Sequence, residues 1–422
     1  MQAVESNNAT IEQLIVDAIS DQTDRLIEMS RRLVNAASPN PPGDVAQAAD
    51  VAEQLLLAIP GMEVERVITA PGIVNLIGRL SANRPGRRLV FNGHLDTFPI
   101  GEDLGWTVPP LDGTVRDGLL FGRGVSDMKG GIAASLLAVR ALSAHRDAWA
   151  GEVVVTLAGD EETMGSLGTR HLLEHFPHAL GDAMISGDVG SPMVVRFGEK
   201  GLLWVEIEAE GSPAHGAHVH KGVNAIDRLR AALDVLKQLE ALETNEPPMV
   251  AAAIQAAEPI SEPLSGVGEA SVLRKVTVNI GVIEGGVSPN LIPTRAVAKA
   301  DIRLPVGLNT ADVETLLRER LATLPGVQMR VVQKYEPSFT DPSHEIVEII
   351  VQTAEQILQQ KPAANMRVGA SDARLYRMYG IPSVVFGPTP YNMGGPDEHI
   401  RVDELISIAK VHALAALRYL SV

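Results

Sequence analysis

Apolar positions recur with two different periods along the 422-residue chain. From Ile11 to about Ala37 the residues Leu14, Ile15, Ala18, Ile19, Leu26, Ile27, Met29 and Leu33 keep helical spacing, and the Pro-rich loop Pro39–Pro42 ends the pattern. Ile73–Gly78 and Arg88–Gly93 are short β-rich runs bounded by Gly and Pro. Ile132–Leu142 reads as a helix, and Val153–Leu157 and Ala183–Ile185 read as buried strands. Near the C-terminus Ile346, Ile350, Ala354 and Ile357 share a helix face, as do Leu405, Ile408 and Val411. Strands alternating with helices predict an α/β unit with a mainly parallel sheet.

The middle of the chain follows another rule. Leu202–Ala209 alternates, Asn224–Leu242 is an amphipathic helix, and Lys275–Val282 and Ala296–Ile302 read as strands. A helix at Ala311–Leu321 and a strand at Gln328–Val332 complete a βαββαβ order, the ferredoxin-like split unit. These half-exposed strands predict a second domain, residues 199–337, inserted into a first made of residues 1–198 and 338–422. Glu246–Gly268, rich in Pro, Ala and Glu, is expected to be a long loop.

Composition narrows the chemistry. The 52 Asp+Glu against 36 Lys+Arg leave a formal charge of −16, which opposes a broad nucleic-acid or anionic-membrane surface. The absence of cysteine excludes disulfides, Cys-ligated zinc, iron–sulfur clusters and a cysteine nucleophile. No run of about eighteen apolar residues is present, and the first residues, MQAVESNNAT, lack a basic and an apolar region. A soluble, cytoplasmic protein acting on a small molecule is the expectation.

Four segments carry candidate chemistry, each where a strand of the first domain gives way to a loop. In Gly93-His94-Leu95-Asp96-Thr97 the residues two apart face the same way, so Asp96 can orient a metal-binding His94. Gly122-Arg123-Gly124-Val125-Ser126-Asp127-Met128-Lys129-Gly130 places Asp127 ahead of a helix. Gly159-Asp160-Glu161-Glu162-Thr163 gathers three acids whose repulsion a cation or proton would relieve. Ser186-Gly187-Asp188-Val189 follows a short apolar run. In open α/β sheets, ligands collect outside the carboxyl ends of strands.

These segments resemble the signatures of the M20 metallopeptidases, a family that includes carboxypeptidase G2-like enzymes, aminoacylases, acetylornithine deacetylases and succinyl-diaminopimelate desuccinylases. The resemblance spans nearly the whole chain. It implies a metal-dependent hydrolase of carbon–nitrogen bonds, with His94, Asp127, Asp188 and Glu162 as metal ligands and Asp127 bridging. It makes Asp96 the residue that orients His94, and Glu161 the general base. The inserted domain resembles the family's lid, through which a homodimer or higher homo-oligomer would form. His215, in Gly211-Ser212-Pro213-Ala214-His215-Gly216-Ala217, resembles the His that reaches into the neighbouring subunit's site. Asn290 resembles the substrate-contacting Asn of the lid, and Ser371 and Arg374 lie in a Gly369–Arg374 segment similar to the family's GxTDxR loop, also expected at the substrate.

One departure matters most. Where the family carries its last metal-binding His, before Pro396-Asp397-Glu398, this chain has Gly394. His399 lies five residues later and replaces that His only if the loop is rebuilt. His94, Asp127 and Asp188 then remain as one complete site, against Asp127 and Glu162 alone in the other, so one divalent ion per subunit is expected: zinc, manganese or cobalt. The substrate is expected to be an N-acyl amino acid or peptide amide, or an arylamine. The latter follows from a similarity to the family's arylamine-hydrolysing offshoot, the 5-nitroanthranilate aminohydrolases, since Gly394 leaves room for a flat ring. A non-catalytic metal- or ligand-binding protein is the alternative. His171-Leu172-Leu173-Glu174-His175 matches the H-x-x-E-H pattern of inverzincins but is read as a solvated helix face.

Overall fold

The computed structural model describes residues 2–101 and 105–421. The helical pattern of the N-terminal region forms two helices, Gln2–Ser20 and Thr23–Asn35, interrupted at Asp21–Gln22. The larger sheet has nine strands. At its centre Glu152–Ala158, Arg88–His94, Ala183–Ser186 and Ser383–Val385 lie side by side in that order, each pair parallel. Antiparallel strands flank them: Ile73–Ser81 and Glu63–Ala70 at one edge, Val194–Glu199 and Ser338–Phe339 at the other. Ala363–Arg367 pairs parallel with Val194–Glu199. Arg88–His94 is buried from Leu89 onward and Glu152–Ala158 from Val153 onward, on both faces. That is why Leu89–Phe91 and Val153–Val155 run apolar without alternating.

Helix Gly130–Ser143 is buried almost all round and packs with Val402–Leu420 in the main core. Its first turn approaches the turn after Ala183–Ser186 so closely that a Cβ on Gly131 would lie 1.9 Å from the Gly187 carbonyl oxygen. Only glycine permits that approach, and it draws Asp127, just before the helix, towards Asp188, just after the strand.

The second sheet is four-stranded and antiparallel, in the order Thr277–Gly285, Arg295–Leu304, Gly201–Glu210, Val327–Tyr335. Helices Ala225–Lys237 and Thr310–Leu321 cover it and close a separate core around Val205, Ile207, Leu229 and Leu317. The chain order is βαββαβ, as the periodicity predicts. Val205, Ile207 and Ala209 are buried and alternate with part-exposed Trp204, Glu206 and Glu208, as expected for strands with one covered face.

The expected loop at Glu246–Gly268 is instead mostly helix, Pro248–Ser265. Val250, Ile254, Ala257 and Ser261 form its buried face, and Val250 and Ile254 enter the core of the larger sheet. Pro259 and Pro263 lie within it but are exposed. The carbonyls that they leave without a donor can therefore be hydrated, and burial of the opposite face outweighs the two lost hydrogen bonds. Among the described residues no helix is long and apolar enough to cross a membrane.

Candidate metal centre

His94 ends a central strand, Asp127 precedes the buried helix, and Asp188 follows the neighbouring strand. Each offers a ligand atom, and these three atoms lie within 4.8 Å of one another; no other such group of three is found among the described residues. His94 Nε2 stands 3.0 Å from Asp127 Oδ1. Its Nδ1 faces the Asp96 backbone carbonyl at 3.0 Å, with the Asp96 carboxylate at 3.5 Å. A proton on Nδ1 leaves Nε2 free for a cation.

Asp96 does more than the orienting role expected of it. Its Oδ1 accepts the Glu161 N–H at 3.1 Å, and its Oδ2 accepts the Glu162 N–H at 3.0 Å and the Asn40 amide at 2.9 Å. The buried carboxylate thus fixes the turn that carries both glutamates, while its carbonyl holds the imidazole.

The electrostatics are those of a site built around positive charge. Burial, followed by the Asp127 carboxylate, pushes Glu162 up to about 10, and its Oε1 is buried with no hydrogen-bond partner. Burial raises Glu161 well above the ordinary range and raises Asp188 as well. Burial opposes protonation of His94, yet Asp127, Asp96 and Glu161 outweigh it and hold that pKa well above its usual value. A divalent cation relieves the crowding, and one nitrogen with carboxylate oxygens is a donor set that zinc, manganese or cobalt accepts.

Ser371 and Arg374, expected at the substrate, are each 1% exposed and committed elsewhere. The Arg374 guanidinium donates to the Ser371 and Met164 carbonyls at 2.6 and 2.8 Å, and lies 3.9 Å from Glu161 Oε1. The Ser371 hydroxyl donates to Glu199 at 2.9 Å. Both residues therefore form the wall behind Glu161; neither is a free contact for a ligand.

His215 and Asn290 come together in the four-stranded unit, where the Gly216 N–H donates to the Asn290 carbonyl at 2.8 Å. Both side chains are exposed, and among the described residues no contact links either to the His94 cluster. His399 does not replace the absent His. It begins the strand His399–Arg401, donates from Nδ1 to the Asp397 carbonyl at 2.7 Å and stacks on Tyr391 at 5.0 Å. Gly394 has φ +74°, and a Cβ there would meet only the Phe98 ring, at 3.7 Å. His171 and His175 stack at 4.2 Å on the surface of the short helix Thr169–His175 and gain no third ligand among the described residues.

Three supporting elements escaped the sequence reading. Arg123 and Glu398 form a buried pair at 2.6 Å, and Glu398 also accepts the Ser126 N–H and hydroxyl at 3.1 and 2.7 Å. Both lie inside segments already singled out, which was a usable signal. Asn40, and Arg367 at 3.0 Å from Asp188, lie outside every motif, and nothing in the sequence marks them.

The model of peptidase family M20/M25/M40 matches residues 90–418. A succinyl-diaminopimelate desuccinylase of Nitrobacter hamburgensis is 31% identical over 415 residues, covering 93% of this chain and 98% of its own. Among solved structures, an M20 family metallo-carboxypeptidase from Sulfolobus solfataricus superposes with a TM-score of 0.79 at 19% identity, covering 94% of this chain and 99% of its own. A dinuclear metal binding peptidase of the M20 family from Bacillus subtilis gives 0.67 at 15% identity, covering 95% and 99%. With its parallel-centred sheet, its βαββαβ unit and its buried His–Asp–Asp cluster, the chain belongs to peptidase family M20/M25/M40, a family of enzymes that hydrolyse carbon–nitrogen bonds.

Proposed function

We propose that the protein is a single-ion hydrolase that cleaves a carbon–nitrogen bond in a small, carboxylate-bearing substrate. The observation that carries this is the convergence of His94, Asp127 and Asp188 next to Glu161, in a chain whose residue 394 has no side chain. These three residues would hold the ion, with Glu162 beside Asp127. The ion supplies Lewis acidity towards a water and the reacting carbon's oxygen. Glu161, kept basic enough by its buried acidic surroundings, takes the proton of the attacking water and returns it to the leaving nitrogen. Arg374, braced by two carbonyls, holds the Glu161 carboxylate in place. His215 of a partner subunit donates to the oxyanion, and Asn290 approaches the substrate with it. The exposed strand Thr277–Gly285, with Ile283 61% exposed, is the edge through which such a partner pairs.

The desuccinylase relatives favour an N-acyl amino acid as substrate. The open space at Gly394 beside Phe98 favours a second reading, an arylamine such as 5-nitroanthranilate. Amine release from N-succinyl-diaminopimelate and other N-acyl amino acids, set against ammonia release from 5-nitroanthranilate, decides between them. Glu161→Gln should leave metal content at one equivalent per chain while turnover falls at least about 100-fold. Two equivalents in the unmodified protein overturn the single-ion reading, and loss of metal in the variant recasts Glu161 as a ligand.

A further inference from the structure

Arg367 is the last residue of the strand Ala363–Arg367, and its Nη1 donates to Asp188 Oδ2 at 3.0 Å. Asp188 Oδ1 accepts the Val189 N–H at 2.6 Å, so both oxygens of this carboxylate are held and the guanidinium is fixed by one of its two arms. The other arm is free: Nε and Nη2 have no hydrogen-bond partner among the described residues, and neither is among the buried unpaired atoms. Nη2 lies over Gly369, 3.8 Å from where a Cβ would stand, so no side chain at that position covers it.

The other arginines nearby turn their guanidinium ends to protein partners. Arg374 serves two carbonyls, and its remaining Nε is buried away from any ligand. Arg196 serves Glu269, Ser265 and the Met366 carbonyl, and Arg377 faces Glu199 and the Ser383 carbonyl. Arg367 alone among these four pairs with a member of the proposed metal-binding triad, and two of its donors stay open. A guanidinium stays charged at any working pH, and its fork geometry selects a carboxylate over a neutral amide.

We propose that Arg367 is a specificity-determining residue that takes the substrate's carboxylate through Nε and Nη2 while Asp188 holds its other arm. The assignment rests on the hydrolase reading above and sharpens it. Arg367 is one ion pair away from the metal triad, so the carboxylate it binds belongs to a carbon next to the reacting one, not to the far end of a long acyl chain. An α-carboxylate on the amine side of an amide fits, and so does a carboxylate ortho to an aromatic amine.

The test is a binding measurement that needs no turnover. Calorimetry on metal-loaded Glu161→Gln protein compares hippurate with hippuramide, and anthranilate with anthranilamide. The carboxylate of at least one pair should bind ten-fold or more tighter than its amide. Adding Arg367→Met should erase that difference with the metal content unchanged, and Arg367→Lys should restore part of it. Arg367 is not the selecting residue if no carboxylate preference exists in either pair, or if the preference survives Arg367→Met. Loss of metal in Arg367→Met together with equal weakening of acid and amide assigns it only the positioning of Asp188. A preference that depends on Arg367 in a protein that hydrolyses none of the substrates above leaves this assignment standing and removes the hydrolase reading.

Discussion

Position 394 lies on a loop fastened to the segment that carries Asp127, one of the residues proposed to hold the metal. Arg123 donates to the Gly394 and Gly395 carbonyls at 2.9 and 3.2 Å, and Glu398 grips the backbone and hydroxyl of Ser126, the residue before Asp127. Gly394→His should therefore complete a second site with Asp127 and Glu162. The left-handed φ costs about 1–2 kcal/mol for a residue with a Cβ, and His is among the types that tolerate it best. The expected outcome is a slightly lower melting temperature and a rise from one to two metal equivalents per chain, read by elemental analysis. An unchanged count would mean that the loop does not present this position to Asp127 and Glu162. The orphaned Glu162 Oε1 gives the added ion an oxygen that no protein donor now uses.

At the scale of elements, the Pro248–Ser265 helix is tied to the larger sheet by a buried cluster. Arg196, in the strand Val194–Glu199, pairs with Glu269 at 3.1 Å, and Glu269 also accepts from Ser261 and from Asn365. Glu269→Ala strands a buried guanidinium and should cost about 3–5 kcal/mol. Glu208→Ala, which breaks the exposed Arg295 pair, should cost less than about 1 kcal/mol. Denaturant midpoints compare the two, and equal losses would show that the Arg196 cluster does not anchor the helix. This helix was also the element hidden from the sequence. Four prolines and many alanines gave its segment the composition of a loop, and only the shared burial of Val250, Ile254 and Ala257 shows why it is helical. The central strands were legible for the opposite reason: burial on both faces demands an unbroken apolar run, and little else satisfies it. Of the site, His94, Asp127 and Asp188 were legible because each closes a motif at a strand or helix end. The burial of Ser371 and Arg374, and the presence of Arg367, depend on residues far apart in the chain that meet only after folding.

At the scale of the whole molecule, the exposure of His215 has a consequence for assembly. Within one chain neither His215 nor Asn290 contacts the metal cluster, so their proposed roles require a second copy to bring them there. The four-stranded sheet offers a place for it: Thr277–Gly285 is an edge strand whose residues from Gly281 onward are exposed, with Ile283 facing outward. In a two-fold dimer paired at this edge, each site would combine Glu161 of one chain with the partner's His215. Two inactive variants then repair each other. His215→Ala and Glu161→Gln, each inactive alone, should on co-expression form mixed dimers in which one site has both residues intact. Random pairing makes half the dimers mixed with one working site in each, so activity should return to about a quarter of the unmodified level. Ile283→Lys, which places charge on the pairing edge, should abolish this recovery and give a monomer by light scattering while the metal content stays unchanged. No recovery from the mixed pair, with dimers present, would place His215 outside the partner's reaction. Activity retained by an Ile283→Lys monomer in which both His215 and Glu161 are intact would mean that His215 reaches the metal centre of its own chain.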